Sequence, residues 1–475
     1  MKYFLLILHL ALLPLTGQEN ELTLERKKLI ILPADSGPES MGQKITNIVS
    51  GEAVQLGRFD IIDRSHLEAI LEEQKLHLSG LIDENQVVEI GEMAAAEEAL
   101  FIKIIAYNQK GVPPKEKVKK KEKDEEDDSL FEWIVKETVT AVIDEKLEGV
   151  ERYPYNIQTT IQAEVRLINI KTGKSKHSFK LYGHYTGGTK AESFTRALRS
   201  MRWQIRTKLK TLYILSSEIV ELNGKEITIL SGKNLGLRKG AIFEIASNDR
   251  KKTYKGKSIT IPGKPRGLSR ITEVGPDASI AKIVRKWRPI KEGNKAYEII
   301  SSPSVNELAF SYNESPGMQM MIQHWINPFA PFSMSVSGQI GTFTDSRNET
   351  TGQFGFGFGF GYKLFQLGPI GNALRFHIPI DFALKSDDAD HLASATILSP
   401  MIGWETSILI GKSKDLVISV FTIPKSTFGE WTYTEQSDSD SEESTTVDAF
   451  WNEEAPTVDL SGLFLSVGIR FINIR

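Results

Sequence analysis

The chain changes its hydrophobic rhythm twice. Between Lys27 and Tyr107 short apolar runs alternate with stretches whose apolar residues recur every three or four positions, the period of a helix with one buried face. "KKLIILPA" predicts a buried strand at Leu29 to Leu32, and Ile45, Ile48, Val49 and Val54 predict a helix over Met41 to Leu56. Phe59 to Ile62 predicts a strand. Ser65 and Glu68 then have the spacing of a capping box, opening a helix with Leu67, Ile70, Leu71 and Leu78 on one face. A short helix at Glu84 to Met93 and a strand at Ala99 to Tyr107 follow. "IQTTIQAEVRLINIKTG" and "SKHSFKLYGHYTGG" alternate with period two across a turn at Lys171 to Lys174, and a helix from Ser193 to Leu212 closes the segment. Residues 19–215 are therefore expected to form an α/β sandwich.

From 216 to 300 the helical period disappears. "EIVELNGKEITILSGKNLGLRKGAIFEIAS", punctuated by Gly224, Gly232, Gly236 and Gly240, is followed by "RGLSRITEVGPDASIAKIV" and "IKEGNKAYEI". Short alternating strands with glycine turns predict a small all-β barrel. The glycines sit between strands and no GxxxxGK[ST] spacing occurs, so they read as turn residues rather than a phosphate loop.

Residues 303–475 carry the strongest alternation. In "FGFGFGFGYKL" Phe354, Phe356, Phe358, Phe360, Tyr362 and Leu364 share one face, and Gly355, Gly357, Gly359, Gly361 and Lys363 the other. In "LRFHIPIDFAL" Leu374, Phe376, Ile378, Ile380, Phe382 and Leu384 oppose Arg375, His377, Pro379, Asp381 and Ala383. "LFLSVGIRF" sets Leu463, Leu465, Val467, Ile469 and Phe471 against Phe464, Ser466, Gly468 and Arg470. Strands of about 9–11 residues with one wholly apolar face and one polar or tiny face are what a transmembrane β-barrel requires. A soluble β-sandwich alternates too, because one face of each strand is buried; strand length and the aromatic face favour the barrel. Glycines turned inward would relieve crowding in a narrow lumen, where Arg375 and Asp381 are expected to pair.

Eight antiparallel strands are expected, near 306–312, 317–325, 332–344, 353–366, 373–385, 394–411, 414–424 and 461–473. "DSRNETT", "KSDDADH" and the acidic "KSTFGEWTYTEQSDSDSEESTTVDAFWNEEAPT" fall at one end, and the tight "QLGPIGN" and "GKSKD" at the other. Long polar loops outside and short turns inside are the outer-membrane pattern, which would put the preceding domains in the periplasm. An eight-stranded barrel is filled by its own side chains, so it is expected to anchor rather than conduct.

Composition adds limits. A length of 475 residues suits three domains or so. A formal net charge of −3 gives no global basic surface, so no nucleic-acid partner is expected. Residues 1–18, "MKYFLLILHLALLPLTGQ", have the basic start, apolar core and small-residue end of a signal peptide. No later window reaches 18 consecutive apolar residues. With no cysteine in the chain, disulfides, thiol nucleophiles and thiol lipidation are all impossible. The eight histidines are scattered without an HExxH, and no GxSxG occurs. No catalytic, cofactor-binding or metal-ligating residue stands out, no cofactor is expected, and the chain does not read as an enzyme.

The run "RFDIIDRSHLEAILEEQKLHLSGLIDENQVVEIGEMAAAEEAL" resembles the CsgG-like family, the curli-secretion component and its periplasmic relatives. It carries a strand, a capped helix ending in Glu-Glu-Gln-Lys, an "LSG" turn and a helix leading into a strand. The resemblance implies a periplasmic, non-enzymatic domain that works through protein contacts, sometimes as a homo-oligomer. Members that form the curli pore are lipoproteins and contribute β-hairpins to a shared barrel; here Gln18 stands where the lipidated Cys would be. The insertion from Gln109 to Asn156 holds a charge run, read as a solvated linker. Behind it Leu130, Ile134, Thr138 and Ala141 or Val142 lie at helical spacing, which predicts an amphipathic helix. "SGKNLGLRKGAIFEI" and "IKEGNKA" resemble the C-terminal domain of the flagellar assembly protein FlgT. The expectation is an outer-membrane protein with protein partners in the periplasm or outer membrane and lipid around its barrel, serving assembly or transport of a surface structure. The alternative is an oligomeric CsgG-type secretion channel.

Overall fold

The computed structural model describes residues 22–33, 41–62, 84–113, 153–300, 303–313, 317–367, 369–436 and 444–473. The signal segment 1–18, the capping box at Ser65 and Glu68 with its helix, and the amphipathic helix of the insertion lie outside the described residues. Two compact units result: residues 23–214 with 232–237, and residues 215–231 with 238–475.

The first unit is built on a five-stranded sheet. Its elements are β1 (Lys27–Pro33), α1 (Met41–Leu56), β2 (Phe59–Ile61), α2 (Glu84–Met93), β3 (Glu98–Gly111), β4 (Ile157–Asn169), β5 (Lys174–Thr186), α3 (Lys190–Ser200) and α4 (Arg202–Leu212). The order is β2-β1-β3-β4-β5, with β1 parallel to both neighbours and β3, β4 and β5 antiparallel. One face buries Leu29, Leu100, Ile161 and Val165 under Ile45, Val49, Phe194 and Leu209 of α1, α3 and α4. The other buries Ile30, Leu32, Ala99 and Phe101 against Val87 and Ile90 of α2. Sheet strands with helices on both faces must be apolar on both sides, which is why β1 reads as a continuous run rather than an alternation.

The helix expected over Ser193 to Leu212 starts earlier and is broken. Thr189 caps it in a reciprocal capping box with Glu192, and Met201 ends α3 and begins α4. The break wraps both helices over β5, where Gly183 admits them: a Cβ there would lie 2.7 Å from the Ala197 carbonyl oxygen.

In the second unit β6 (Ser216–Asn223), β7 (Glu226–Ile229), β8 (Ile242–Ala246), β11 (Pro265–Val274), β12 (Ser279–Lys286) and β13 (Lys295–Ile299) close into a six-stranded antiparallel barrel, ordered β11-β12-β7-β6-β13-β8. Ile219, Ile229, Phe243, Ile245 and Ile271 are buried in it. Gly224, at φ +62°, makes the tight turn between β6 and β7. Between β8 and β11 a separate two-stranded ribbon, β9 (Arg250–Tyr254) and β10 (Lys257–Ile261), stands apart from the barrel.

The C-terminal barrel consists of β14 (Ser304–Asn313), β15 (Met318–Ile326), β16 (Phe332–Thr344), β17 (Thr350–Leu367), β18 (Ile370–Ser386), β19 (Leu392–Leu398) continued by β20 (Met401–Leu409), β21 (Lys414–Ile423) and β25 (Gly462–Asn473). Pairing runs β17-β16-β15-β14-β25-β21-β20-β18, and β17 pairs β18, so eight staves close on themselves. Closure removes the β-sandwich alternative. The expected strand over 394–411 is interrupted at Ser399-Pro400: β18 pairs β19 above Ile380 and β20 below His377, and Pro379 and Pro400 bracket the gap because neither has an N–H to donate. The long connection after β21 folds as well, with β22 (Thr427–Phe428) on β19 and a hairpin of β23 (Thr432–Gln436) and β24 (Ser444–Asp448).

The turns at 410–413 and 327–331 carry the small barrel. Arg285 of β12 pairs with Asp415 at 2.7 Å and donates to the carbonyls of Gly411, Lys412 and Lys414, and Leu268 packs with Trp325, Phe329 and Ile472. Arg285 and Asp415 are both buried. Arg285→Ala is expected to weaken this junction by about 1.5–3 kcal/mol, the range for hydrogen bonds to a charged group. Hydrogen exchange at the amides of 410–414 should rise tenfold or more; unchanged protection there would show that the apolar contacts hold the two barrels together without the arginine.

Candidate functional site

The two faces of the eight-stranded barrel carry its chemistry, and period-two alternation sorts them. Across β16, β17 and β18 the register sets Phe354 beside Ile340 and Phe382, Phe358 beside Val336 and Ile378, and Tyr362 beside Phe332 and Leu374. All of these residues point outward. Phe354, Phe356, Phe358 and Tyr362 are about half exposed, as are Leu463, Leu465, Val467, Ile469 and Phe471 of β25. Aromatic rings stack along the outside, Phe354 on Phe382 at 5.1 Å and Phe360 on Phe376 at 6.3 Å. The apolar face continues through Met320 and Ile322 of β15, Ile402 and Trp404 of β20, and Ile418 and Val420 of β21. Monomeric proteins surrounded by water rarely expose so continuous an apolar surface, and larger patches mark protein or membrane contacts.

The inner face is polar and full. Glu405 accepts from Nε and Nη2 of Arg375 at 2.7 Å each and from Nη2 of Arg470 at 2.7 Å, and Arg470 reaches on to Glu307 at 2.6 Å. Trp325 donates from Nε1 to Glu307 and lies under Arg375 at 3.9 Å. Two cations and two carboxylates leave the cluster neutral, as a buried group of charges must be if it is not to cost several kcal/mol per unpaired ion. Farther along, His377 bonds Ser337 at 2.9 Å, Gln323 bonds Ser335, and Gln339 donates to Asp381 at 2.6 Å. Arg375 and Asp381, expected to pair, do not: six residues apart on one strand they share a face but stand about 20 Å apart along it, and each finds its partner on a neighbouring stave. Arg470 and Asp381 were both legible as inward; Glu405 and Glu307 were not, since β20 and β14 alternate too weakly to announce themselves.

The glycines of β17 make this filling possible. A Cβ on Gly355 would collide with Asp381, one on Gly357 would lie 2.5 Å from Nε2 of His377, and those on Gly359 and Gly361 would collide with Ser335 and Arg375. What remains of the lumen around Glu307, Gln323, Arg375 and His377 is a cavity of about 20 Å³, room for about one water molecule. Among the described residues, side chains fill this part of the barrel's interior.

The end away from the small barrel is capped by its own loops. Asp387 accepts from the backbone N–H groups of Ala389, His391 and Phe450 and from the His391 ring, tying the β18–β19 turn to the segment after β24. Arg347 donates to the Glu454 carbonyl and lies over Trp451, which packs on Trp431. Trp431, Val458 and Leu460 complete an apolar plug with Phe343, Ile397 and Phe421. Burial would raise the Asp387 carboxyl, but the hydrogen bonds from Phe450, His391 and Ala389 outweigh it and hold it down at about 2. A depressed pKa stabilises the fold above the ordinary carboxylate range and ceases to as pH falls through the folded value. The cap should thus stay closed to about pH 3 and loosen toward pH 2, whereas Asp387→Ala loosens it at every pH. The near-ultraviolet circular dichroism of Trp431 and Trp451 reads this; an identical acid profile in wild type and variant would sink it.

Among curated proteins nothing matches the chain. One family does. Residues 28–112 match the family described as "Curli production assembly/transport component CsgG". That span runs from β1 through α1, β2 and α2 to the end of β3. Of solved structures, the lipoprotein GNA1162 from Neisseria meningitidis is similar at 10% identity, covering 39% of this chain and 99% of its own, with a TM-score of 0.24. A major outer membrane protein from Thermus thermophilus is similar at 12% identity, over 36% of this chain and 100% of its own, with a TM-score of 0.26. A PelC dodecamer from Paraburkholderia phytofirmans is similar at 11%, over 40% and 91%, with a TM-score of 0.20. At scores this low the likenesses decide neither fold nor function.

Proposed function

We propose that the chain is a non-enzymatic, outer-membrane-anchored envelope protein whose CsgG-like unit binds protein partners during assembly or transport of a surface structure. One observation carries the reading: a closed eight-stranded barrel with an apolar belt outside and a filled lumen inside, built around a charge-balanced cluster of two arginines and two glutamates. Such a surface is stable in hydrocarbon and a liability in water, and such a lumen anchors without conducting. The match to the curli component at residues 28–112 supports the partner-binding role. Residues 1–18 act as the export signal, 19–215 form the CsgG-like module, 216–300 the FlgT-like module and 303–475 the anchor. Short turns on the side of the small barrel and long acidic loops on the other favour a periplasmic position for the first two modules.

Fractionation of intact cells with added protease tests it. The protein should sediment with the outer membrane and be cut within Lys425 to Thr457, with the first two modules protected. Recovery in the soluble periplasmic fraction would overturn the anchor. Steady ion conductance from the purified full-length protein in planar bilayers would favour instead an oligomeric secretion channel of the CsgG type.

A further inference from the structure

The ribbon of β9 and β10 has no structural role in the barrel that bears it. It continues the β8–β11 pairing past the rim, through a bend where Asp249 caps Gly263 and pairs with Lys295, and both strands are exposed along almost their whole length. Two strands without a third layer are marginal in water, so a ribbon that projects alone is half of something. Its twelve residues, Arg250 to Ile261, hold Arg250, Lys251, Lys252, Lys255 and Lys257 and no acid, in a chain whose overall charge is −3. No carboxylate among the described residues pairs with any of the five.

The register sorts these side chains. Lys257 lies opposite Tyr254, Ile259 opposite Lys252, and Ile261 opposite Arg250, so all six share one face; Lys251, Thr253, Ser258 and Thr260 share the other. The first face alternates cations with Tyr254, 59% exposed, and Ile259, 42% exposed. Long cationic side chains beside an aromatic and two aliphatic groups suit a surface that offers phosphates at one depth and acyl chain just below it. An acidic protein groove would satisfy the cations but has no use for apolar groups interleaved among them on a two-stranded arm. The arm is about 16 Å long at 3.3 Å per residue, and it belongs to the same compact unit as the barrel with the apolar belt. Embedding that barrel holds the arm permanently near a bilayer, where local concentration replaces intrinsic affinity.

We infer that the face of the β9–β10 ribbon bearing Arg250, Lys252, Tyr254, Lys257, Ile259 and Ile261 docks on an anionic phospholipid surface. The inference rests on the membrane reading of the barrel. Docking would fix the small barrel against the bilayer through a second point besides the barrel wall.

The absence of cysteine allows clean single labelling of the full chain. Two variants, Ile259→Cys on the ribbon face and Val467→Cys on the barrel belt, carry an environment-sensitive fluorophore. They are reconstituted into phosphatidylcholine vesicles or vesicles with added phosphatidylglycerol, with spin-labelled lipid as quencher. The belt label should be quenched in both. The ribbon label should be quenched at least about twofold more in the anionic vesicles, and lose that excess in 1 M salt, where the Debye length falls to about 3 Å. Adding Lys252→Gln and Lys257→Gln should cut the docked fraction on the order of tenfold. If the belt label is quenched while the ribbon label stays aqueous in anionic vesicles, docking is overturned and the barrel stands. A ribbon label shielded equally in both lipids, insensitive to salt, marks a protein face and overturns lipid docking. A belt label that stays aqueous overturns the membrane reading and the inference with it.

Discussion

Glu405→Ala is expected to cost the barrel about 3–5 kcal/mol, the penalty for removing one partner from a buried charge cluster. Glu405 is 3% exposed and answers two guanidinium groups at once, so its loss leaves Arg375 without a carboxylate and Arg470 with Glu307 as its one carboxylate. The urea midpoint of the protein refolded in detergent, followed through the Trp325 fluorescence that the two arginines overlie, measures the effect. A second variant separates lost charge balance from lost packing. Glu405→Ala combined with Arg375→Met removes one cation with the anion and replaces its bulk, and should recover a large part of the loss. A single-variant cost below about 1 kcal/mol would mean that water reaches the cluster, since a solvated pair is worth no more than that, and the filled lumen would be refuted.

Phe358→Arg is the second large expectation, and its size depends on what surrounds the molecule. Phe358 is half exposed, midway along β17, with Val336 and Ile378 beside it. On a surface in water, replacing an exposed phenylalanine by arginine changes stability by about 0.5 kcal/mol in either direction. In the middle of a bilayer the same change costs about 2–4 kcal/mol. Reversible unfolding from vesicles should therefore show a loss in the upper range, falling toward zero for an equivalent change at the belt's edge such as Tyr312→Arg. A flat profile from edge to middle would show that the belt does not meet hydrocarbon. The inward neighbours give the opposite control: leucine at Gly359 meets Ser335 and Gln323 rather than lipid, and its cost should be the same in detergent and in bilayers.

These two variants mark the limit of what alternation conveys. Outward Phe354 to Tyr362 and Leu463 to Phe471 were readable residue by residue, because a strand has only two sides and a bilayer demands that one of them be apolar throughout. The eight staves and the ends of most of them followed from the same rule. In the first unit α1 and α2 begin and end where their period does, since a helix buried along one stripe needs its apolar residues at fixed intervals. The break at Met201 left no such mark: the apolar stripe of α3 passes into that of α4 without interruption, and the bend comes from packing both against β5 over Gly183.

Partnership was the other thing alternation could not supply. It places Arg375 and Asp381 on one face but does not say which stave stands next to which at what height, and that decides that Arg375 meets Glu405 while Asp381 meets Gln339. The acidic connection after β21 read as open loop because its residues are polar; Asp387 and Arg347 tie it down through contacts between segments more than 60 residues apart, and Trp431 folds it on itself by donating to the Pro456 carbonyl. Faces, spans and the membrane-compatible pattern are local consequences of chain geometry. Closure of the barrel, charge balance in the cluster at Glu405 and the seal at the barrel's end exist only once distant strands are brought into register, because charge balance and packing are properties of neighbours in space.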